Sequence, residues 1–183
     1  NEGKFMKKFI YSIISVLILL SCSESTDINY DDEYSLLQNS DIKESISLLN
    51  SWRNDNNKIT SYVTPKILVA EFPDGRTITK NLPDDEMYVA IAPYLTRTHS
   101  CTNHYLSKCD AELKNKEFYV QAYINDKKII NGNYNSLDNG FIELWLPRNK
   151  TIKIEIKYST KKAEETFITD DNCKTCFTTF YLE

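Results

Sequence analysis

The amino-acid sequence predicts a mostly β protein, a β-sandwich-like domain with a short N-terminal helical segment. Three observations lead there. From Ile59 onward, short runs rich in β-branched and aromatic residues recur between turn residues. Several runs alternate apolar and polar side chains, the period of a half-buried strand. Before them, one stretch carries apolar residues at helical spacing instead.

That stretch begins at Asp41, which with Glu44 has capping-box spacing, Asp standing where Ser or Thr is usual. Ile42, Ile46 and Leu49 form the apolar face, and Leu48 and Trp52 widen it. The helix is expected to end near NDNN, residues 54–57. Its face is expected to pack on the main domain, with a homodimer contact as the alternative use.

The strands follow in order. KILVAEF (66–72), the turn PDG (73–75) and RTITKNL (76–82) predict a hairpin. MYVAIAPYL (87–95) reads as a buried strand. EFYVQAYIN (117–125) puts Phe118, Val120, Ala122 and Ile124 on one face. GFIELWLP (140–147) puts Ile142, Leu144 and Leu146 opposite Phe141, Glu143 and Trp145. KTIKIEIKY (150–158) sets Ile152, Ile154 and Ile156 against Lys153, Glu155 and Lys157. ETFIT (165–169) and CFTTFYL (176–182) complete the set. Seven or more such strands suggest two packed sheets, and roughly 125 residues suffice for one core. Met87 and Trp145 belong to these strands as packing residues. Asp84, Asp85 and Glu86 read as a solvated turn. With four glycines and no repeat, nothing suggests a phosphate-cradling loop.

The N-terminus carries a targeting pattern. Residues 1–5 precede Met6 and are expected to lie upstream of the true start. Lys7 and Lys8 form a basic region, and Phe9 to Leu20 is apolar but short for a bilayer span. Leu19-Leu20-Ser21-Cys22 looks like a bacterial lipobox, which predicts cleavage before Cys22 and a lipid on its sulfur. An ordinary secretory peptide or an N-terminal anchor is the alternative. Residues 23–35 are polar and acidic, suited to a solvated tether. The formal net charge is −4, and removing the lysine-rich leader makes the remainder more acidic. That excludes nucleic acid as a natural partner and leaves metal cations open.

Five cysteines are present. With Cys22 lipidated, Cys101, Cys109, Cys173 and Cys176 remain, in a compartment where thiols oxidise. Two disulfides are one expectation. A bound soft metal is the other.

THSCTNHYLSKC (98–109) holds both histidines of the chain, His99 and His104, with Cys101 and Cys109. It lies in a long connection, and such connections are often functional. A straight helix would separate the two thiols by about 12 Å and a strand by roughly 26 Å. A disulfide needs Cα atoms within about 7 Å, and a shared metal needs similar closeness. If the thiols cooperate, the segment must fold back, with a helical turn expected at Asn103–Leu106. Thiolate and imidazole suit copper or zinc. There is no H-E-x-x-H, which disfavours a zinc protease. Cys/His nucleophilic chemistry is formally open, but no oxyanion hole or substrate pocket is recognisable. Cys173-Lys174-Thr175-Cys176 is a C-x-x-C that fits a disulfide, a redox pair or half a metal site. No βαβ context supports a thioredoxin-like reading.

MYVAIAPYLTRTHSCTNHYLSKCDAEL (87–113) resembles the CueP family of periplasmic copper-binding proteins, as do ITSYVTPKILVAEFPDGR (59–76), NGFIELWLPRNK (139–150) and CFTTFYL. The resemblance spans most of residues 59–183, through T-H-x-C-x-x-H-x-L-x-x-C and a late C-x-T-T. It implies copper held by three cysteines, which by motif are Cys101, Cys109 and Cys176. His99 and His104 match the motif's histidines, as ligands to an incoming Cu(II) or as shapers of the loop. Cys173 departs from the pattern: it would pair with Cys176, add a fourth sulfur, or stand by. The lipobox is the other departure.

The expected organisation is therefore a signal peptide (1–21), a lipidated cysteine and tether (22–35), a helical segment (36–57) and a β-rich copper-binding domain (58–183). The expected activity is copper binding for tolerance, sequestration or delivery to a receiving protein, with thiol-dependent reduction of Cu(II) as the one enzyme-like step. A disulfide-stapled surface binding module and a structural zinc protein are the alternatives. The expected location is extracytoplasmic, tethered to a bacterial membrane by lipid.

Overall fold

Two helices open the part of the chain that a computed structural model describes, residues 29–53 and 58–183. The leader, Cys22 and the expected helix end at 54–57 lie outside those residues. Helix α1 (Asp31–Asn39) begins inside the expected tether, at residues 31–35, and continues into the expected helical segment. Its acidic first turn, Asp31 to Glu33, suits a helix N-terminus, and Leu37 is fully buried. A single buried leucine with Tyr30 beside it is too sparse a pattern to read from sequence. Helix α2 (Ile42–Trp52) starts where the capping box predicted, with the Asp41 carboxylate accepting from the Glu44 N–H at 2.8 Å. Ile46 and Leu49 enter the core, so this face packs on the domain. No helix among the described residues is long and apolar enough to cross a membrane.

Ten strands follow among the described residues: β1 (Thr60–Val63), β2 (Ile67–Glu71), β3 (Thr77–Asn81), β4 (Glu86–Ile91), β5 (Glu117–Ile124), β6 (Lys127–Asn135), β7 (Ile142–Pro147), β8 (Thr151–Tyr158), β9 (Lys161–Ile168) and β10 (Cys176–Phe177). They form three sheets rather than two, in the orders β1-β2-β3, β10-β4-β7 and β6-β5-β8-β9. The chain is mostly β, as expected. Strand β6 reads KKIINGNYN and has no fully buried residue. It is an edge strand whose inner face, Ile130 and Tyr134, is only partly buried, so alternation marks it weakly.

The central sheet positions the site. Strand β4 pairs antiparallel with β7, Tyr88 opposite Trp145 and Ala90 opposite Glu143. It pairs parallel with β10, Cys176 beside Ala90. Because side chains alternate, each strand presents two faces. Met87, Val89, Ile91, Ile142, Leu144, Leu146 and Phe177 pack toward the four-stranded sheet, against Phe118, Val120 and Ile154. Tyr88, Ala90, Trp145 and Cys176 pack on the other side, with both helices, the β1–β3 sheet and the loop carrying Cys109. Burial on both faces explains the unbroken apolar run of β4.

A candidate metal centre

The connection from β4 to β5 is held at three places. At its start, the Glu112 carboxylate accepts from the N–H groups of Leu95 at 2.8 Å and Thr96 at 3.0 Å, and from the Thr96 hydroxyl at 2.5 Å. These donors, the Thr96 hydroxyl foremost, hold the Glu112 carboxyl down at about 2. In the middle, the Val63 N–H donates to the His104 carbonyl at 2.8 Å. The His104 N–H donates to Thr175 Oγ1 at 2.9 Å, and the Thr175 hydroxyl donates onward to the Val63 carbonyl at 2.5 Å. The N–H groups of Thr175 and Cys176 both donate to the Thr102 carbonyl, at 3.0 and 3.2 Å. Thus the residue before Cys176 ties the C-terminal segment to the loop. At the far end, Arg53 donates to the Leu106 carbonyl at 3.4 Å and to the Cys109 carbonyl, and pairs with Asp110 at 2.9 Å.

The loop folds back through a turn at Tyr105–Cys109. The Cys109 N–H donates to the Tyr105 carbonyl at 2.8 Å and the Lys108 N–H at 3.2 Å. The expected turn at Asn103–Leu106 is displaced, because His104 is taken up in a β-bridge to Val63. The reversal brings Cys101 Sγ to 3.6 Å from Cys109 Sγ. The Tyr105 N–H donates to Cys109 Sγ at 3.3 Å.

Two groups of donors result. His99, Cys101 and Cys109 have ligand atoms all within 4.8 Å of one another, and so do His104, Cys109 and Cys176. Cys109 belongs to both. His99 is exposed and Cys101 half-buried, whereas His104 and Cys176 are fully buried. Cys173 belongs to neither group. It packs against the opposite core, with Phe177 and its neighbours. All four cysteines among the described residues are free thiols, with no bridge between Cys173 and Cys176.

The electrostatics are those of a shared thiolate. Cys101 and Cys176 favour the ionised form of Cys109, with His104 beside them, and its pKa falls well below the thiol range. The same contacts work in reverse on the partners. Cys101 is pushed up to about 11, chiefly by Cys109, and Cys176 is held well above the ordinary value by Cys101 and Cys109. Cys173 is raised to about 11, by burial first and then by the nearby Asp170 carboxylate.

His104 tests whether these residues fit a metal. Its ring is completely buried, 4.4 Å from the Phe141 ring, yet neither ring nitrogen has a hydrogen-bond partner. A buried unpaired polar group costs about 1–3 kcal/mol. A metal ion bound through one nitrogen would remove part of that cost. Behind it, Tyr88 donates to Glu143 at 2.7 Å, as does the Asn50 amide. Burial raises the Glu143 carboxyl and, with Glu143 adding to it, the Tyr88 phenol.

Sequence reasoning named every member of the two candidate groups but missed Thr175, Arg53, Tyr88 and Glu143. Nothing local marks these four: each acts through a partner at least 40 positions away.

A β-rich domain that gathers three thiols and two imidazoles into two overlapping groups, one buried and one opening to solvent, carries donors of the kind that suit a soft metal ion. The chain belongs to the CueP family: the model described as "Periplasmic copper-binding protein CueP" matches residues 44–181. Among solved structures it is similar to the crystal structure of S.CueP, with a TM-score of 0.75 and 28% identity over 85% of this chain and 99% of that one. No curated protein matches the chain significantly.

Proposed function

We propose that this chain is an extracytoplasmic copper-binding lipoprotein whose copper is held by Cys101, Cys109 and Cys176 with His104 and His99. The observation that carries the reading is fully buried His104, whose two ring nitrogens are unpartnered and one of which lies within 4.8 Å of the Cys109 and Cys176 sulfurs. Soft thiolates with imidazole suit Cu(I). Cys22 would anchor the chain to the membrane, and acidic residues after it would hold the domain off the surface.

The 3.6 Å separation of Cys101 and Cys109 also supports reduction of Cu(II). Two thiols would lose two protons and two electrons, forming one disulfide and converting two Cu(II) to two Cu(I). The disulfide removes Cys101 and Cys109 as ligands, so Cu(I) made this way would pass to a receiving protein across the open His99 side, whereas storage uses the reduced pair.

The test is competition for Cu(I) between the reduced protein and a chromogenic chelator. Binding that weakens in Cys101→Ser, Cys109→Ser and Cys176→Ser is expected. Unchanged affinity in all three would sink the assignment. Elemental analysis of protein from unsupplemented cells separates copper from zinc, which a Cys/His set also accepts.

A further inference from the structure

The five donors differ sharply in access to solvent. His99 is exposed, Cys101 is half-buried, and a cavity of about 510 Å³ lined by both, with Tyr105 and Cys109, opens over them. His104 and Cys176 are 0 % exposed, and Cys109 is 8 % exposed between the two sets. Phe141 is the common wall, its ring centroid 4.4 Å from that of His104 and 6.4 Å from that of His99. An ion arriving with water or a carrier can reach the first set only. An ion on the second set is shielded from both.

Resting on the copper reading, we propose that the site is two overlapping three-ligand stations hinged on Cys109. The outer station, His99, Cys101 and Cys109, captures Cu(I). The inner station, His104, Cys109 and Cys176, holds it. Each set lies within 4.8 Å, so the ion passes inward with Cys109 bound throughout. Bonds to His99 and Cys101 break as bonds to His104 and Cys176 form. The proton leaving Cys176 returns to Cys101, and copper stays Cu(I). The unpartnered nitrogens of His104 are the independent sign that the inner station awaits a ligand.

The test is stopped-flow transfer of Cu(I) from its bicinchoninate complex to the reduced full chain. His99→Ala is expected to slow capture at least about tenfold and to cost less final affinity than His104→Ala. His104→Ala is expected to keep the capture rate and lose at least about tenfold in affinity. If the His104 variant does not fold, X-ray absorption of wild type with one equivalent of Cu(I) decides. Two sulfurs and one nitrogen, retained in His99→Ala, support the inner station; three sulfurs without nitrogen overturn it. Equal loss of affinity in both histidine variants with unaltered rates also overturns it. Failure of the wild type to take Cu(I) from the chelator would overturn the copper reading itself, and the relay with it.

Discussion

Cys101 Sγ and Cys109 Sγ lie 3.6 Å apart, although eight positions separate them in the chain. Cys109 is the member common to both donor groups. Cys109→Ser is therefore expected to cost more Cu(I) affinity than Cys101→Ser or Cys176→Ser, by at least about tenfold or 1.4 kcal/mol. Chelator competition on the three variants side by side checks the ranking.

The pH dependence follows from the thiol ionisation. Cys101 and Cys176 are held above the ordinary thiol value, so both carry protons at neutral pH. Binding at either releases one. Apparent Cu(I) affinity is thus expected to rise with pH between 6 and 8, by about tenfold per unit for each proton released. Cys109, held low, contributes little to that slope. A flat profile would contradict the assignment of protonated thiols as ligands.

Cys173 packs against the opposite core and joins neither donor group. Cys173→Ser is expected to leave Cu(I) affinity within about twofold of wild type. A loss as large as that of Cys176→Ser would show that a fourth sulfur takes part.

Arg53 links helix α2 to the metal loop through the carbonyls of Leu106 and Cys109 and the Asp110 carboxylate. Arg53→Ala leaves these carbonyls without their donor, at a cost of about 1–3 kcal/mol in stability. Urea denaturation of the metal-free protein measures it. Arg53→Lys should recover only part, because one ammonium cannot reproduce the fork of a guanidinium.

Gly140 stands at φ +83°, and a Cβ there would lie 2.9 Å from both Cβ and the carbonyl oxygen of Ala111. Gly140→Ala is expected to destabilise by more than about 1 kcal/mol, through strain and the backbone clash together. The displaced residue follows Cys109 and Asp110, so thermal unfolding and Cu(I) affinity should both fall.

Much of the fold was legible because its signals are local. The Asp41–Glu44 capping box located α2 to the residue. Alternation in β5, β7 and β8 identified the faces that meet in the second core. Where the inner face is only partly buried the signal weakens, which is why β6 went unread. The CFTTFYL run was expected to be a full strand, yet only Cys176–Phe177 pairs regularly. Beyond it the chain touches β4's continuation at an isolated bridge between Tyr94 and Tyr181.

The sequence by itself supplied the candidate donors, four of them sulfur and two imidazole, concentrated in 98–109 and 173–176, with the alternation that builds the sheets. Only the tertiary structure decided which donors meet. Cys176 reaches the loop because β10 pairs with β4 and Thr175 bonds across to His104. Cys173, three positions away, is turned to the other side of the central sheet. The physical reason is that sulfur-to-sulfur proximity across more than 60 positions is set by strand pairing and by which side of a sheet each side chain occupies. Neither is written in the spacing of C-x-x-C.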